Sequence, residues 1–158
     1  HENTFLWKFH ATHHSPNRLY WLNAARFHPI DALLINLVAY IPLILLGANV
    51  KVLLLVSIWI NVHGLFQHCN IHLRLGPLNY IFSMCELHRW HHSRIESESN
   101  ANYGNNIIFW DIVFGTIYYP KNADARKEIG LIDIIDFPKN YIQQILSPFK
   151  WNRISGNK

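Results

Sequence analysis

Two long stretches without charge constrain this chain more than any other feature. Residues 32–48, ALLINLVAYIPLILLGA, and 52–62, VLLLVSIWINV, contain no Asp, Glu, Lys or Arg, and Lys51 is the only charge between them. Each is shorter than the roughly 20 apolar residues of a full transmembrane helix. Both are apolar on every side, however, where a helix at the surface of a soluble bundle carries a single apolar stripe. The link GANVK between them makes a helical hairpin that enters a membrane and returns on the same side, with Pro42 kinking the first arm. The expected fold is all-α: an integral-membrane helical protein with one hairpin in the bilayer over residues 32–66. A histidine-rich cytosolic helical cap then covers 67–158 and ends in an amphipathic helix. The 158 residues suit one domain, and a chain that opens on His1 rather than Met is expected to be a fragment.

A returning hairpin leaves everything before and after it on one face of the bilayer. All of the 14 Lys and Arg except Lys51 fall on that face, which the positive-inside tendency makes cytoplasmic, in a bacterial inner membrane or the endoplasmic reticulum. A pI near 9.2 would also suit nucleic-acid binding. The cations are scattered singly rather than gathered in a stripe, so no nucleic-acid partner is expected. Cys69 and Cys85 match no C-x-x-C pattern and read as small packing residues. Arg18, Tyr20, Trp21 and Arg26 suit a bilayer interface, as does the amphipathic tail DFPKNYIQQILSPFKW.

The remaining signal is histidine. HRWHHS, residues 88–93, and FHATHH, residues 9–14, both carry H-x-x-H-H, which on a helix gathers three imidazoles on one face. Between them lies HGLFQHCNIH, with His68 and His72 one helical turn apart and His63 just before. Only His28 stands well away from these clusters and reads as a packing or surface residue. Neutral imidazole is the commonest metal ligand, and two copies of the triplet are hard to explain by solvation. The candidate ligands are His1, His10, His13, His14, His68, His72, His88, His91 and His92. A tetrahedral site takes four, so nine suggest two metals, or one metal with bystanders. Imidazole suits iron, copper, zinc and nickel alike. A neutral all-nitrogen shell favours anionic oxygen species, which beside a membrane hairpin points to oxygen chemistry on a lipid. His1 lies nine residues before His10, on the wrong side of a continuous helix, and so requires a break near Asn3 and Thr4. Ligating histidines usually donate their second N–H to a carboxylate or carbonyl. Glu98, Asn100, Asn102 and Asp111, with Glu86 and Glu96, are near enough in sequence to accept it.

The order LWKFHATHHS (6–15), FQHCN (66–70), LGPLNYIF (75–82), HRWHHS (88–93), ESNANYG (98–104) and WDIVFGT (110–116) resembles the fatty acid hydroxylase and sterol desaturase superfamily of integral-membrane di-iron enzymes. The resemblance spans nearly the whole chain. It implies two iron ions, O2 as co-substrate, and hydroxylation or desaturation of a lipid C–H bond. It also implies electrons from a cytochrome b5-like or ferredoxin-like donor. By motif, His10, His13, His14, His88, His91 and His92 match the family's ligands, with His68 next. His1 matches the second histidine of the first box, and His72 a position that is histidine in some members. His63 has no firm counterpart. Two other classes compete: a histidine-rich membrane metal-binding or transport protein, which needs ligands inside the bilayer, and a bis-histidine haem protein, which needs isolated histidines on facing helices.

Overall fold

The computed structural model describes residues 1–120, 128–132, 134 and 136–156. Among them there is no strand, and the chain forms eight α-helices and three short 3-10 turns. Helix α1 (Thr4–His14) begins where the Asn3 side chain accepts the backbone N–H of Leu6, and it ends at Ser15, just before Pro16. The break required between His1 and the first triplet is therefore a helix cap. After a 3-10 turn at Trp21–Ala25, helix α2 (Pro29–Leu45) opens on the His28 ring, which accepts from the Ile30 N–H, with proline in its first turn. Gly47 follows its end with φ +79°, a left-handed conformation that glycine adopts without steric cost.

Helix α3 (Val50–Gln67) is capped by Asn49, whose side chain accepts from Lys51 and Val52. It is 18 residues long and apolar enough to cross a membrane, whereas α2 is apolar but has 17 residues. Only Asp31 of α2, and only His63 and Gln67 of α3, are buried. The interior is correspondingly polar. Among the described residues, 21 polar or charged side chains are buried against 13 apolar ones, the reverse of a soluble core. The one apolar cluster, Ala11, Leu131, Ile134, Phe137 and Trp151, packs the C-terminal segment against the back of α1.

The route into the second triplet departs from expectation. The sequence suggests a helix running from the Gly76-Pro77 turn to His92. Instead a 3-10 turn at Gly76–Tyr80 leads into extended backbone, and helix α4 covers only Cys85–His91. The extended stretch is held by pairing: Phe82 bridges Ile107, the Ser83 N–H donates to the Asn106 carbonyl, and the Ile108 N–H to that of Ile81. His68 and His72 are likewise not on one helical turn, because α3 ends at Gln67. The buried Arg89 guanidinium takes the Cys69 carbonyl and the Asn70 side chain, which holds the chain off the helical path.

The polar stretch after α4 holds a short helix, α5 (Glu96–Ser99), before α6 (Phe109–Phe114). The tail forms α7 (Tyr141–Leu146), a 3-10 turn at Ser147–Lys150 and α8 (Trp151–Ile154), so the expected amphipathic helix is interrupted at Ser147-Pro148. Asp111 organises the loop around α6: its carboxylate accepts from the Tyr103 and Gly104 N–H groups and from the Thr116 hydroxyl, at 2.7–2.8 Å. Hydrogen bonds to a buried charge are worth roughly 1.5–3 kcal/mol each. Asp111→Ala should therefore lower the thermal midpoint of the purified protein by several degrees, more than Asp136→Ala on an exposed loop, as read by differential scanning fluorimetry.

Candidate metal centre

Eight histidines meet in two groups of four. The ring nitrogens of His1, His10, His14 and His91 lie within 4.8 Å of one another, and so do those of His13, His68, His88 and His92. Helix geometry explains the division. At 100° per residue, positions i and i+4 lie about 40° apart around the axis, while i+3 lies about 100° from i+4. In α1, His10 and His14 accordingly converge, Nε2 to Nε2 at 3.1 Å, and His13 turns to the other group. In α4 and its C-cap, His88 and His92 converge at 3.1 Å and His91 turns away. Each triplet thus gives a pair to one group and a single ring to the other. His1 completes the first group, 3.0 Å from His14, and His68 completes the second, 3.1 Å from both His13 and His88. The groups share a wall, where the His14 and His92 rings stack at 4.1 Å.

Hydrogen bonds on the outer ring nitrogens fix what the inner ones present. Nδ1 of His13 bonds to the Arg26 carbonyl, that of His68 to the Gly64 carbonyl and that of His91 to the Ala101 carbonyl. A carbonyl only accepts, so each Nδ1 carries the hydrogen and each neutral ring turns a bare lone pair inward. His10 bonds through Nδ1 to the Asp31 carboxylate at 2.9 Å, the same arrangement with a charged acceptor. The His13 and His68 Nε2 atoms are then two lone pairs 3.1 Å apart with no hydrogen between them. That contact repels unless a cation lies between. The chemistry of the donor set therefore fits a metal in each group.

Protonation does not relieve the repulsion. Burial is the largest cause holding His13, His14, His88 and His92 well below the usual histidine range, with neighbouring imidazoles adding to it. Burial brings His68 down to about 4 and His91 to about 3, even though their carbonyl hydrogen bonds pull upward. These rings are neutral, ligand-competent bases at neutral pH.

The remaining candidates lie elsewhere. His72 is exposed and belongs to neither group. His63 is buried in α3 beside Trp59 and Phe82, also outside both groups. His28 is the cap of α2, with Nε2 on the Ile145 carbonyl. Glu98 accepts from the Ser93 hydroxyl, and Asn102 bonds to the Leu87 and Tyr118 backbones. Asn100 lines a cavity of about 380 Å³ beside His1 and His14, together with Glu2, Trp7 and Glu96. Glu86 accepts from the Leu75 N–H and from the Asn79 and Tyr119 side chains. Among the described residues, neither these groups nor Asp111 bonds to a histidine of the two groups. The carboxylate that does is Asp31, and the other partners are backbone carbonyls. In the sequence Asp31 reads as an ordinary helix-start residue. Its one distinguishing mark is that it is a lone charge at the head of an apolar run.

The fatty acid hydroxylase family profile matches residues 1–116. The chain belongs to the fatty acid hydroxylase family. It is 43% identical to the ornithine lipid hydroxylase OlsE of Rhizobium tropici over 94% of its own length and 44% of that protein. It is 32% identical to the alkylglycerol monooxygenase of Danio rerio (97% of this chain, 33% of the relative). It is 27% identical to methylsterol monooxygenase 1 of Rattus norvegicus (77% and 41%). The chain thus spans less than half the length of each of these relatives. No solved structure matches it.

Two predictions follow from the geometry. Asp31→Asn should weaken metal binding about 10–100-fold, as loss of an orienting partner usually does, measured by competition with a chromophoric chelator. For the metal-free protein, the unfolded chain takes up protons below about pH 6.5 that the folded cluster excludes. Stability is therefore greatest above that pH and falls with acidification, by roughly 1.4 kcal/mol per pH unit for each excluded proton. Thermal midpoints between pH 8 and pH 5 should decline only on the acid side, and a flat profile would contradict the assignment.

Proposed function

We propose that the chain is the metal-binding part of a membrane-bound, non-haem di-iron oxygenase that hydroxylates or desaturates a C–H bond of a lipid. The observation that carries this reading is the pair of four-histidine groups, one buried and one partly buried, sharing the His14–His92 wall. Imidazole donors suit iron, and the likeness to hydroxylases and monooxygenases favours it over zinc. Bound at both groups, the irons supply the activation of O2.

His1, His10, His14 and His91 would hold one iron, and His13, His68, His88 and His92 the other. The Arg26, Gly64 and Ala101 carbonyls and the Asp31 carboxylate hold the rings with their inner nitrogens aimed into the groups. Burial of His13, His68, His88 and His92 keeps bulk water from the second group. Helices α2 and α3 form the bilayer hairpin, with the histidines on the cytoplasmic side under the cap. The substrate is an apolar lipid, and the likeness to an ornithine lipid hydroxylase favours an amino-acid-containing lipid. Electrons come from a cytochrome b5-like or ferredoxin-like donor. A metal-transport role is less consistent, because the groups lie beyond the ends of the apolar helices and leave no ligand path through them.

Comparative lipid mass spectrometry of cells expressing the protein and its His91→Ala variant tests the reading. A lipid heavier by one oxygen atom in the wild type alone identifies a hydroxylase, and one lighter by two hydrogens a desaturase. The purified wild type should carry about two irons per chain and His91→Ala fewer, whereas His72→Ala should keep the wild-type content. A protein that holds no iron and changes no lipid would refute the proposal.

A further inference from the structure

We infer that α6 and the extended segment beside it are embedded in the membrane leaflet next to α3, so that bilayer lipid reaches the flank of the cap as well as the hairpin. From Asn105 to Tyr119 the only charged residue is Asp111, and from Leu75 to Cys85 there is none. Asp111 is 2% exposed and turned inward onto Tyr103, Gly104 and Thr116. What the helix turns outward is entirely apolar: Phe109, Trp110, Ile112, Val113 and Phe114, with Trp110 58% and Phe114 72% exposed. A six-residue helix exposing five large apolar side chains suits lipid far better than water.

The depth follows from its attachment. Phe82 pairs with Ile107 at the root of α6 and lies 6.1 Å, ring to ring, from Trp59 and 6.4 Å from His63, both on α3. At a rise of 1.5 Å per residue, those positions are about 8–14 Å along α3 from His68. The half-thickness of a bilayer's hydrocarbon core is about 15 Å. A segment packed there, continuous with the exposed Trp59, lies at leaflet depth whenever α3 spans the bilayer. Tyr80 and Ile81, both exposed, extend the same face. The occupant is lipid acyl chain, because the surface offers no charge for a protein partner to pair with and adjoins α3 through Phe82.

The inference rests on the membrane reading of α3, and the experiment separates the two. Nitroxide labels at Val113→Cys and, separately, Phe114→Cys, in a Cys69→Ser background reconstituted into phosphatidylethanolamine–phosphatidylglycerol vesicles, are read by power-saturation electron paramagnetic resonance. Labels at Leu54→Cys on α3 and Lys139→Cys on the cap are the references. The expected result is O2 accessibility several-fold above that to a water-soluble nickel chelate at both α6 sites, as at Leu54 and unlike Lys139. Nickel accessibility at α6 with Leu54 in lipid overturns this inference alone. Immobile labels reached by neither reagent also overturn it, since protein, either a second copy or further chain, then covers the face. A Leu54 label in water overturns the membrane reading and this inference with it.

Discussion

The structure depends on a repulsion that something must neutralise. Eight imidazoles turn ring nitrogens toward one another, at about 3 Å in the tightest pairs, and burial denies His13, His14, His68, His88, His91 and His92 the protons that would relieve the contacts. Such an interior costs several unsatisfied polar interactions unless cations occupy it. Helix lengths, caps and loop anchors can all be understood as ways of holding those nitrogens in place. Asn3 caps the start of α1 so that His1 can fold back, and Arg89 holds the chain off the helical path after His68. The Phe82–Ile107 pairing delays α4 until Cys85.

This polar interior also explains why so much apolar surface faces outward. With few buried hydrophobic residues, the hydrophobic effect within the chain is concentrated in a small cluster behind α1. The apolar helices α2 and α3 do not close over that cluster. Their apolar side chains stay largely exposed, and a lipid environment would accept them so long as the backbone groups are paired internally.

Much of the site was legible because its chemistry is local. H-x-x-H-H on a helix gathers imidazoles whatever surrounds it, and the apolar runs of residues 32–62 mark the two helices that the structure leaves largely exposed. The partners of the outer ring nitrogens were not legible. Three are backbone carbonyls, which every residue owns and no pattern marks. The fourth, Asp31, reaches His10 from 21 positions away. The polar residues nearest the second triplet in sequence were the natural candidates, yet Glu98, Asn102 and Asp111 spend their hydrogen bonds on the loop that carries the Ala101 carbonyl to His91.

The sequence by itself determined the kinds of ligand, their helical spacing, the apolar helices and the family. Each of these is a property of neighbours along the chain. Only the tertiary structure decided how the rings divide. It splits each triplet between two groups, recruits His1 and His68 as the fourth members, and leaves His63 and His72 outside. The 40° and 100° offsets within a helix say that a triplet must diverge. Which rings meet is set by how α1 and α4 face each other across α3's end, and no residue spacing encodes that arrangement.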